Sequence, residues 1–370
     1  MTIDHAAIEK LFERARREVD DGLLPSVQIA IAHGGELVAT AAFGDASVDT
    51  RYSVFSCTKA FVAGVVWALI GDGLIDVSKP VADYIAEFGA NGKDAITVEQ
   101  VMLHISGFPH APLNPIDGAT SAGRRAAFAR WRLNWDPGTS FEYHPTSAHW
   151  VLAEIIETVT GRNYLDIVRE RVTEPAGLPK LLGLGPDEQF DIAALANVGD
   201  EATAAEIRAA FGVDSLPVTE VTPDALLRFN SPEVRAVGVP GGGGIMRAAD
   251  LAMYYQALLH NPGEMWRPDV LADATGNVRS RVPERNAGYP ANRSLGLILA
   301  GDDGFSHVRG MGRTVSAGAF GHNGAGGQIA WADPKTGLSF GYCTNGLDRN
   351  VVREPRRTTS LASMAGTCAS

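Results

Sequence analysis

The feature that most constrains this chain is the run Ala60–Ile70, AFVAGVVWALI, which carries no charged side chain. With Ser56-Cys57-Thr58-Lys59 ahead of it, the stretch reads as one helix from Ser56 to about Ile70. A helix that is apolar all round must be buried all round. It is too short to span a bilayer, which takes about 18 or more consecutive apolar residues. No run of that length occurs elsewhere in the chain. The other residues must therefore build a core around this helix, and 370 residues suffice.

Periodicity places the other elements. Asp4 caps a first helix whose Ile8, Leu11, Phe12, Ala15 and Val19 share one face, and Gly22 ends it. Strands follow at Val27–Ala32 and Leu37–Phe43, turned by Gly34-Gly35. A short strand at Tyr52–Val54 leads into the apolar helix. Residues 78–235 read mostly as helix. Thr97 and Gln100 form a capping box, Ala148–Val159 is amphipathic and closed by Gly161, and Tyr164–Val172 is another helix. The stretch 180–236 is weakly periodic. A helix at about Ala248–Leu259 follows the glycine run 241–244. Strands return at about Leu295–Ala300, Gly318–His322, Gly327–Ala332 and Leu338–Thr344, before a last helix at about Val352–Met364. Strands at both ends with helices between predict a mixed α/β fold. It is an antiparallel sheet flanked by helices, built from residues 1–77 plus 236–370, with an inserted, mainly helical domain at 78–235.

Composition excludes several functions. The net charge is −11, and pairs such as Arg124-Arg125 and Arg356-Arg357 stand isolated, so no basic face for nucleic acid is expected. The N-terminus lacks the apolar segment of a signal peptide. Cys57, Cys343 and Cys368 are few, odd in number and far apart, which argues against a disulfide framework and fits a reducing cytoplasm. There is no H-E-x-x-H or C-x-x-C, and no metal or other cofactor is expected.

Chemistry is suggested first by Ser56-Cys57-Thr58-Lys59, an S-x-x-K. Residues three apart at a helix start share a face. Serine is a poor nucleophile without a neighbouring base. Lysine can be that base if burial or a nearby cation lowers its pKa from about 10.4.

Around these residues the chain resembles the β-lactamase-related serine hydrolases, which include class C β-lactamases, D-Ala-D-Ala peptidases and family VIII carboxylesterases. The matching features are the S-x-x-K at Ser56, the DGLIDVSKPV turn, and His104-Ile105-Ser106-Gly107, similar to H-T-S-G. Pro137-Gly138-Thr139 with Tyr143, and Phe320-Gly321-His322-Asn323-Gly324-Ala325-Gly326-Gly327, complete the set. The resemblance covers roughly residues 8–347 in order, and is nearest the esterases. It implies Ser56 as nucleophile, with Lys59 and Tyr143 as its proton-transfer partners, either of which could be the base. It implies an oxyanion hole from the N–H groups of Ser56 and Ala325. The family's Y-x-N or Y-x-S is here Tyr143-His144-Pro145, without the asparagine implied to hold a substrate amide. His144 touches substrate or merely lines the site. The family's K-T-G is here His322-Asn323-Gly324, so His322 and Gly324 would orient substrate. Loss of the lysine removes a fixed cation that would bind a β-lactam or peptide carboxylate, and favours a neutral ester.

Two literal motifs are decoys. Lys335-Thr336-Gly337 follows Asp333-Pro334 and reads as a hairpin turn. Gly337-Leu338-Ser339-Phe340-Gly341 is a G-x-S-x-G lying within a strand, not at a strand-to-helix elbow. Gly241–Gly244 lacks the spacing and the Lys-Ser/Thr of a phosphate loop and reads as a flexible loop. Phe108–Trp135 either walls the substrate or packs the core. The expectation is a carboxylesterase acting on a small-molecule ester through an acyl-enzyme. The alternatives are an amidase or D-aminopeptidase, a weak β-lactamase, an acyltransferase, and a non-catalytic penicillin-binding protein.

Overall fold

The computed structural model describes residues 2–215, 221–285 and 287–369; residues 216–220, within the poorly periodic 180–236 stretch, lie outside the described residues. Its strands are β1 (Ser26–His33), β2 (Glu36–Gly44), β3 (Tyr52–Phe55), β4 (Ala196–Val198) and β5 (Gly244–Met246). They continue as β6 (Ile298–Leu299), β7 (Phe320–Gly321), β8 (Ile329–Asp333), β9 (Leu338–Thr344) and β10 (Gly346–Asp348). Six of them form one sheet in the order β2-β1-β9-β8-β7-β6, every pairing antiparallel. The sheet thus draws on both ends of the chain, as the strand pattern predicts.

The neighbouring strands β1 and β9 sort their side chains by size. On one face stand Val27, Ile29, Ile31, Leu338, Phe340 and Tyr342, which pack with the helices His5–Asp20 and Arg353–Ala365. On the other face stand Ala30, Ala32, Ser339, Gly341 and Cys343, so the helix Ala248–His260 can lie close against the strands. At Gly341 the approach leaves no room: a Cβ there would sit 2.1 Å from the Ala248 carbonyl oxygen. Polar groups stitch the same contact. The Ser339 hydroxyl donates to Ala252 O (2.7 Å), and the Gln256 amide donates to Ser339 Oγ (2.8 Å) and to Ala32 O (3.1 Å). Ser339 is therefore a structural residue of the sheet, and Lys335-Thr336-Gly337 is the β8–β9 turn.

The apolar helix runs Thr58–Gly71 with twelve of its fourteen residues buried. It begins two residues later than the pattern predicts, because Ser56 and Cys57 form a tight turn before it. Its neighbours reach it through donors that need a buried acceptor. Trp266 Nε1–H donates to Gly64 O (2.7 Å), Tyr254 Oη–H to Ala60 O (2.8 Å), and Trp67 Nε1–H to Leu295 O (2.7 Å). The core around it also takes in Phe88, Phe108, Phe128 and Trp150 from the helical stretch. The helix after Tyr164 is α-helical only to Val168 and widens into a π turn over Arg169–Thr173.

Three of the four paired arginines are tied to carboxylates within the protein. Arg124 is buried against Glu154 (2.7 Å) and Glu157, Arg125 bonds Glu154 (2.5 Å), and Arg357 bonds Glu18 (2.5 Å) and Asp348 (2.7 Å). No described helix is long and apolar enough to cross a membrane. The size sorting across the sheet predicts that Gly341→Ala destabilises the fold by about 2–4 kcal/mol in urea unfolding, since the helix must lift away from β9. Gly276→Ala, with nothing near its added Cβ, should change stability by less than about 0.5 kcal/mol.

Candidate active site

The site is built on a strained turn. Strand β3 pairs with β5, with a register slip between Ser53 and Phe55. Phe55 has φ 44°, an unfavourable region for a bulky side chain. Three bonds hold it there. Cys57 N–H donates to Val54 O (3.1 Å), the Thr58 hydroxyl donates to Phe55 O (2.5 Å), and Gly244 N–H donates to Thr58 Oγ1 (2.9 Å). The turn presents Ser56, partly exposed, to a cleft of about 600 Å³, a usual size for a small-molecule site.

Lys59 lies one helical turn on and is wholly buried. Its Nζ is 3.2 Å from Ser56 Oγ, 2.7 Å from Pro145 O and 2.5 Å from Gly241 O. Burial pushes its pKa well below the ordinary lysine value, and the Arg293 guanidinium pushes the same way. In the amine form the two carbonyls take its two N–H groups. The lone pair is then left for the Ser56 hydroxyl. The sequence offered no sign of Pro145 and Gly241 as acceptors.

The glycine run is correspondingly not a flexible loop. Gly241–Gly244 are buried. A Cβ at Gly243 would lie 2.6 Å from Val239 N, and one at Gly244 would lie 2.6 Å from Thr58 Oγ1. Glycines are required because backbone must touch backbone and side chain here.

Tyr143 enters the cleft from the segment Phe141–Pro145, which His104-Ile105-Ser106-Gly107 holds in place. His104 Nδ1 accepts His144 N–H (3.2 Å). His144 Nε2 accepts Phe108 N–H (3.2 Å) and lies 3.1 Å from Ser106 Oγ, so its Nδ1 carries the proton and donates to Glu142 O (2.6 Å). His144 is therefore turned into the protein and does not line the cleft, unlike the substrate-orienting place the sequence suggested. Its bonds lock the backbone on either side of Tyr143. Phe108, Phe128 and Trp131 likewise stack among themselves in the core. Of the Phe108–Trp135 stretch, His110 lines the cleft. The Tyr143 hydroxyl completes no hydrogen bond within the described residues. Burial raises its pKa above the ordinary phenol value, opposed by the Ser56 hydroxyl and by Arg293.

His322 and Ala325 line the same cleft as Ser56, whereas Gly324, expected from the sequence to orient substrate, does not. His322 Nδ1 donates to Asn323 O (2.9 Å), which leaves Nε2 as a buried acceptor without a partner among the described residues. Its ring centroid is 5.9 Å from that of Tyr143. Gly324 donates its N–H to Gln328 O (3.0 Å), and a Cβ there would be 2.2 Å from Val54 O. Ala325, next in the chain, lines the cleft together with Ser56.

One residue of the cleft was invisible in the sequence. Arg293 is buried, with its guanidinium 5.2 Å from the ring centroid of Phe141 and 5.5 Å from that of Tyr143. Burial lowers it to about 10. A single arginine between Asn292 and Ser294 carries no motif that would have marked it.

The fold and this cleft define a serine hydrolase of β-lactamase type, and comparison with known proteins agrees. The Beta-lactamase family model matches residues 11–363. The curated Esterase/beta-lactamase LipL of Mycobacterium tuberculosis (strain ATCC 25618 / H37Rv) is 32% identical over 324 residues, covering 81% of this chain and 70% of that protein. Among solved structures, a family VIII carboxylesterase is 25% identical with TM-score 0.77, covering 99% of both chains. A penicillin-binding protein homologue from Caulobacter crescentus is 26% identical with TM-score 0.75, covering 97% of both. The chain belongs to the Beta-lactamase family.

Four imidazoles (His104, His144, His149 and His322) are buried in or behind this cleft, and burial lowers the pKa of each, His144 to about 3. The unfolded chain takes up protons below about pH 6.5 while the folded one does not. Stability is therefore full above that value and falls with pH, by about 1.4 kcal/mol per pH unit per histidine. Glu354, raised by burial to about 7, opposes this by one group. Calorimetry at pH 5.5 should show a lower Tm than at pH 7.5, with uptake of at least about two protons on unfolding.

Proposed function

We propose that this protein is a carboxylesterase that works through an acyl-enzyme on Ser56. The observation that carries the reading is Lys59 Nζ at 3.2 Å from Ser56 Oγ, with its other bonds going to Pro145 O and Gly241 O. This arrangement suits a neutral amine whose lone pair faces the serine hydroxyl. The pKa directions support one division of roles. Lys59 is lowered and Tyr143 is raised, so Lys59 is the base and Tyr143 remains a phenol that can donate.

The Ser56 proton passes to Lys59 as Oγ attacks the ester carbonyl. The N–H groups of Ser56 and Ala325 receive the oxyanion. As the tetrahedral intermediate collapses, the Tyr143 hydroxyl protonates the leaving alkoxide and is reprotonated from Lys59. The acyl group stays on Ser56. A water then gives its proton to Lys59, attacks the acyl carbonyl, and releases the acid as Ser56 regains its proton. His322, with Nε2 facing the cleft without a partner, is placed to orient substrate. The reading is supported by esterase activity in the names of LipL and of the family VIII carboxylesterase. It is supported too by Tyr143-His144-Pro145 lacking the asparagine of the Y-x-N motif.

Hydrolysis of 4-nitrophenyl acetate and butyrate by the wild type and by Ser56→Ala tests this. The expected result is turnover in the wild type and a loss of at least about a thousandfold in the variant. Equal activity in both would remove Ser56 from the mechanism. A wild type inactive on esters but acylated by nitrocefin would move the reading to β-lactams. The pH profile gives a second check: kcat/KM should rise as Lys59 loses its proton, with a midpoint well below pH 10.4.

A further inference from the structure

Among the described residues, Arg293 has no anionic partner, and it is held in the cleft. Its backbone is fixed on both sides. Its N–H donates to Ser280 O (2.9 Å), and its carbonyl accepts Arg279 N–H (2.9 Å) and Ser280 N–H (3.0 Å). The preceding Asn292 is at φ 45°, a conformation asparagine tolerates better than most residues. The guanidinium lies against the rings of Phe141 and Tyr143, and its Nε and Nη1 are buried with no hydrogen-bond acceptor. Among the described residues it forms no ion pair.

The other charged groups of the cleft are committed. Arg309 bonds both oxygens of Asp303 (2.6 Å each). Glu142 meets His110 Nε2 (2.9 Å) and accepts Trp135 Nε1–H (3.2 Å). Glu284 accepts Ala287 N–H (2.5 Å). Burying a cation with unfilled donors is unfavourable unless something supplies the acceptors. Among the described residues none is supplied, and the cleft that Arg293 lines also contains Ser56.

We propose that Arg293 makes this a site for esters that carry a carboxylate, on the acyl or on the alcohol part. The inference rests on the esterase reading above. The carboxylate takes the unfilled guanidinium donors in a charge-assisted pair, while the ester carbonyl lies at Ser56. The rings of Phe141 and Tyr143 hold the guanidinium in place, and Arg293 lines the cleft with Ser56. This reverses the preference for neutral esters suggested by the loss of lysine at His322.

The test uses matched pairs: 4-nitrophenyl hydrogen glutarate against methyl 4-nitrophenyl glutarate, and 3-acetoxybenzoate against methyl 3-acetoxybenzoate. Ser56→Ala provides the blank. The expected result is a kcat/KM ratio of roughly 10-fold or more for the carboxylate member of at least one pair. In Arg293→Met that ratio should fall to within about twofold, and Arg293→Lys should restore part of it. Ratios near one in the wild type overturn the inference while Ser56-dependent cleavage of the neutral members leaves the esterase reading standing. A high ratio that survives in Arg293→Met also overturns it. So does an Arg293→Met that slows both members equally, which is what a role only in tuning Tyr143 would give. Absence of any ester cleavage in the wild type defeats both readings.

The variant is expected to fold, because methionine fills the same space without unfilled donors, and its Tm should not drop below that of the wild type. Should it be insoluble, competition against 4-nitrophenyl acetate hydrolysis decides instead. Inhibition of the wild type by glutarate and not by glutaramide supports the inference, and equal effects of the two overturn it.

Discussion

The structure depends on one buried amine. Lys59 has no contact with solvent, and an uncompensated ammonium in that position would be among the most costly groups in the fold. Two outcomes are open to such a group: to be paired by a carboxylate, or to give up its proton. Among the described residues no carboxylate forms an ion pair with Lys59, and the acceptors within reach are two backbone carbonyls and a hydroxyl. Neutral lysine matches that set atom for atom, with two donors for the carbonyls and a lone pair for the serine. Much of the local backbone then follows. Pro145 and Gly241 come from distant parts of the chain and must converge within hydrogen-bonding distance of one nitrogen. The tightly packed glycines at 241–244 and the fixed segment around Tyr143 are the means.

The same logic explains the strain at Phe55. A serine at a regular helix start would have its hydroxyl available to the helix's own first N–H groups. The φ of 44° at Phe55 lifts Ser56 out of the helix and into the cleft, and delays the helix to Thr58. Thr58 instead braces the turn, tying Phe55 O and Gly244 N–H through one hydroxyl. Strain at Phe55 is offset by burial of the long apolar helix that follows, whose removal from water is worth about 1.5–3 kcal/mol for each large side chain.

What was legible in the sequence is what rests on local pattern. The apolar run, the alternating strands at both ends, the Thr97–Gln100 capping box and the Gly161 helix stop all have periods or spacings that a short window contains. The relation of Ser56 to Lys59 was legible for the same reason, since three residues on a helix fix one face. What escaped depended on long-range convergence of backbone. Gly241 looked like loop because its function is to let its carbonyl approach Lys59, which no neighbouring letter records. His144 looked like substrate contact because it sits beside Tyr143, yet neighbours in an extended segment point to opposite sides, and His144 turns inward to Ser106 and Phe108. Arg293 was missed because an arginine in a loop is ordinarily a solvated residue. Only the packing of Phe141 and Tyr143 around it makes it otherwise.

The position of the cation carries its own argument. Arg293 lines the cleft in front of the buried Lys59, and it lowers the pKa of Lys59, as well as those of His104 and His322. A fixed positive charge near the base favours its neutral form, which is the form that can take the serine proton. A lysine at position 322 would add a second charge to that field and would itself lie in reach of Arg293. Like charges in a poorly solvated space destabilise one another, so a site with a permanent guanidinium gains from a neutral imidazole at 322. On this account His322 and Arg293 belong together. In that proposal one cation serves both to hold the base neutral and to receive an anion, beside an uncharged residue at 322.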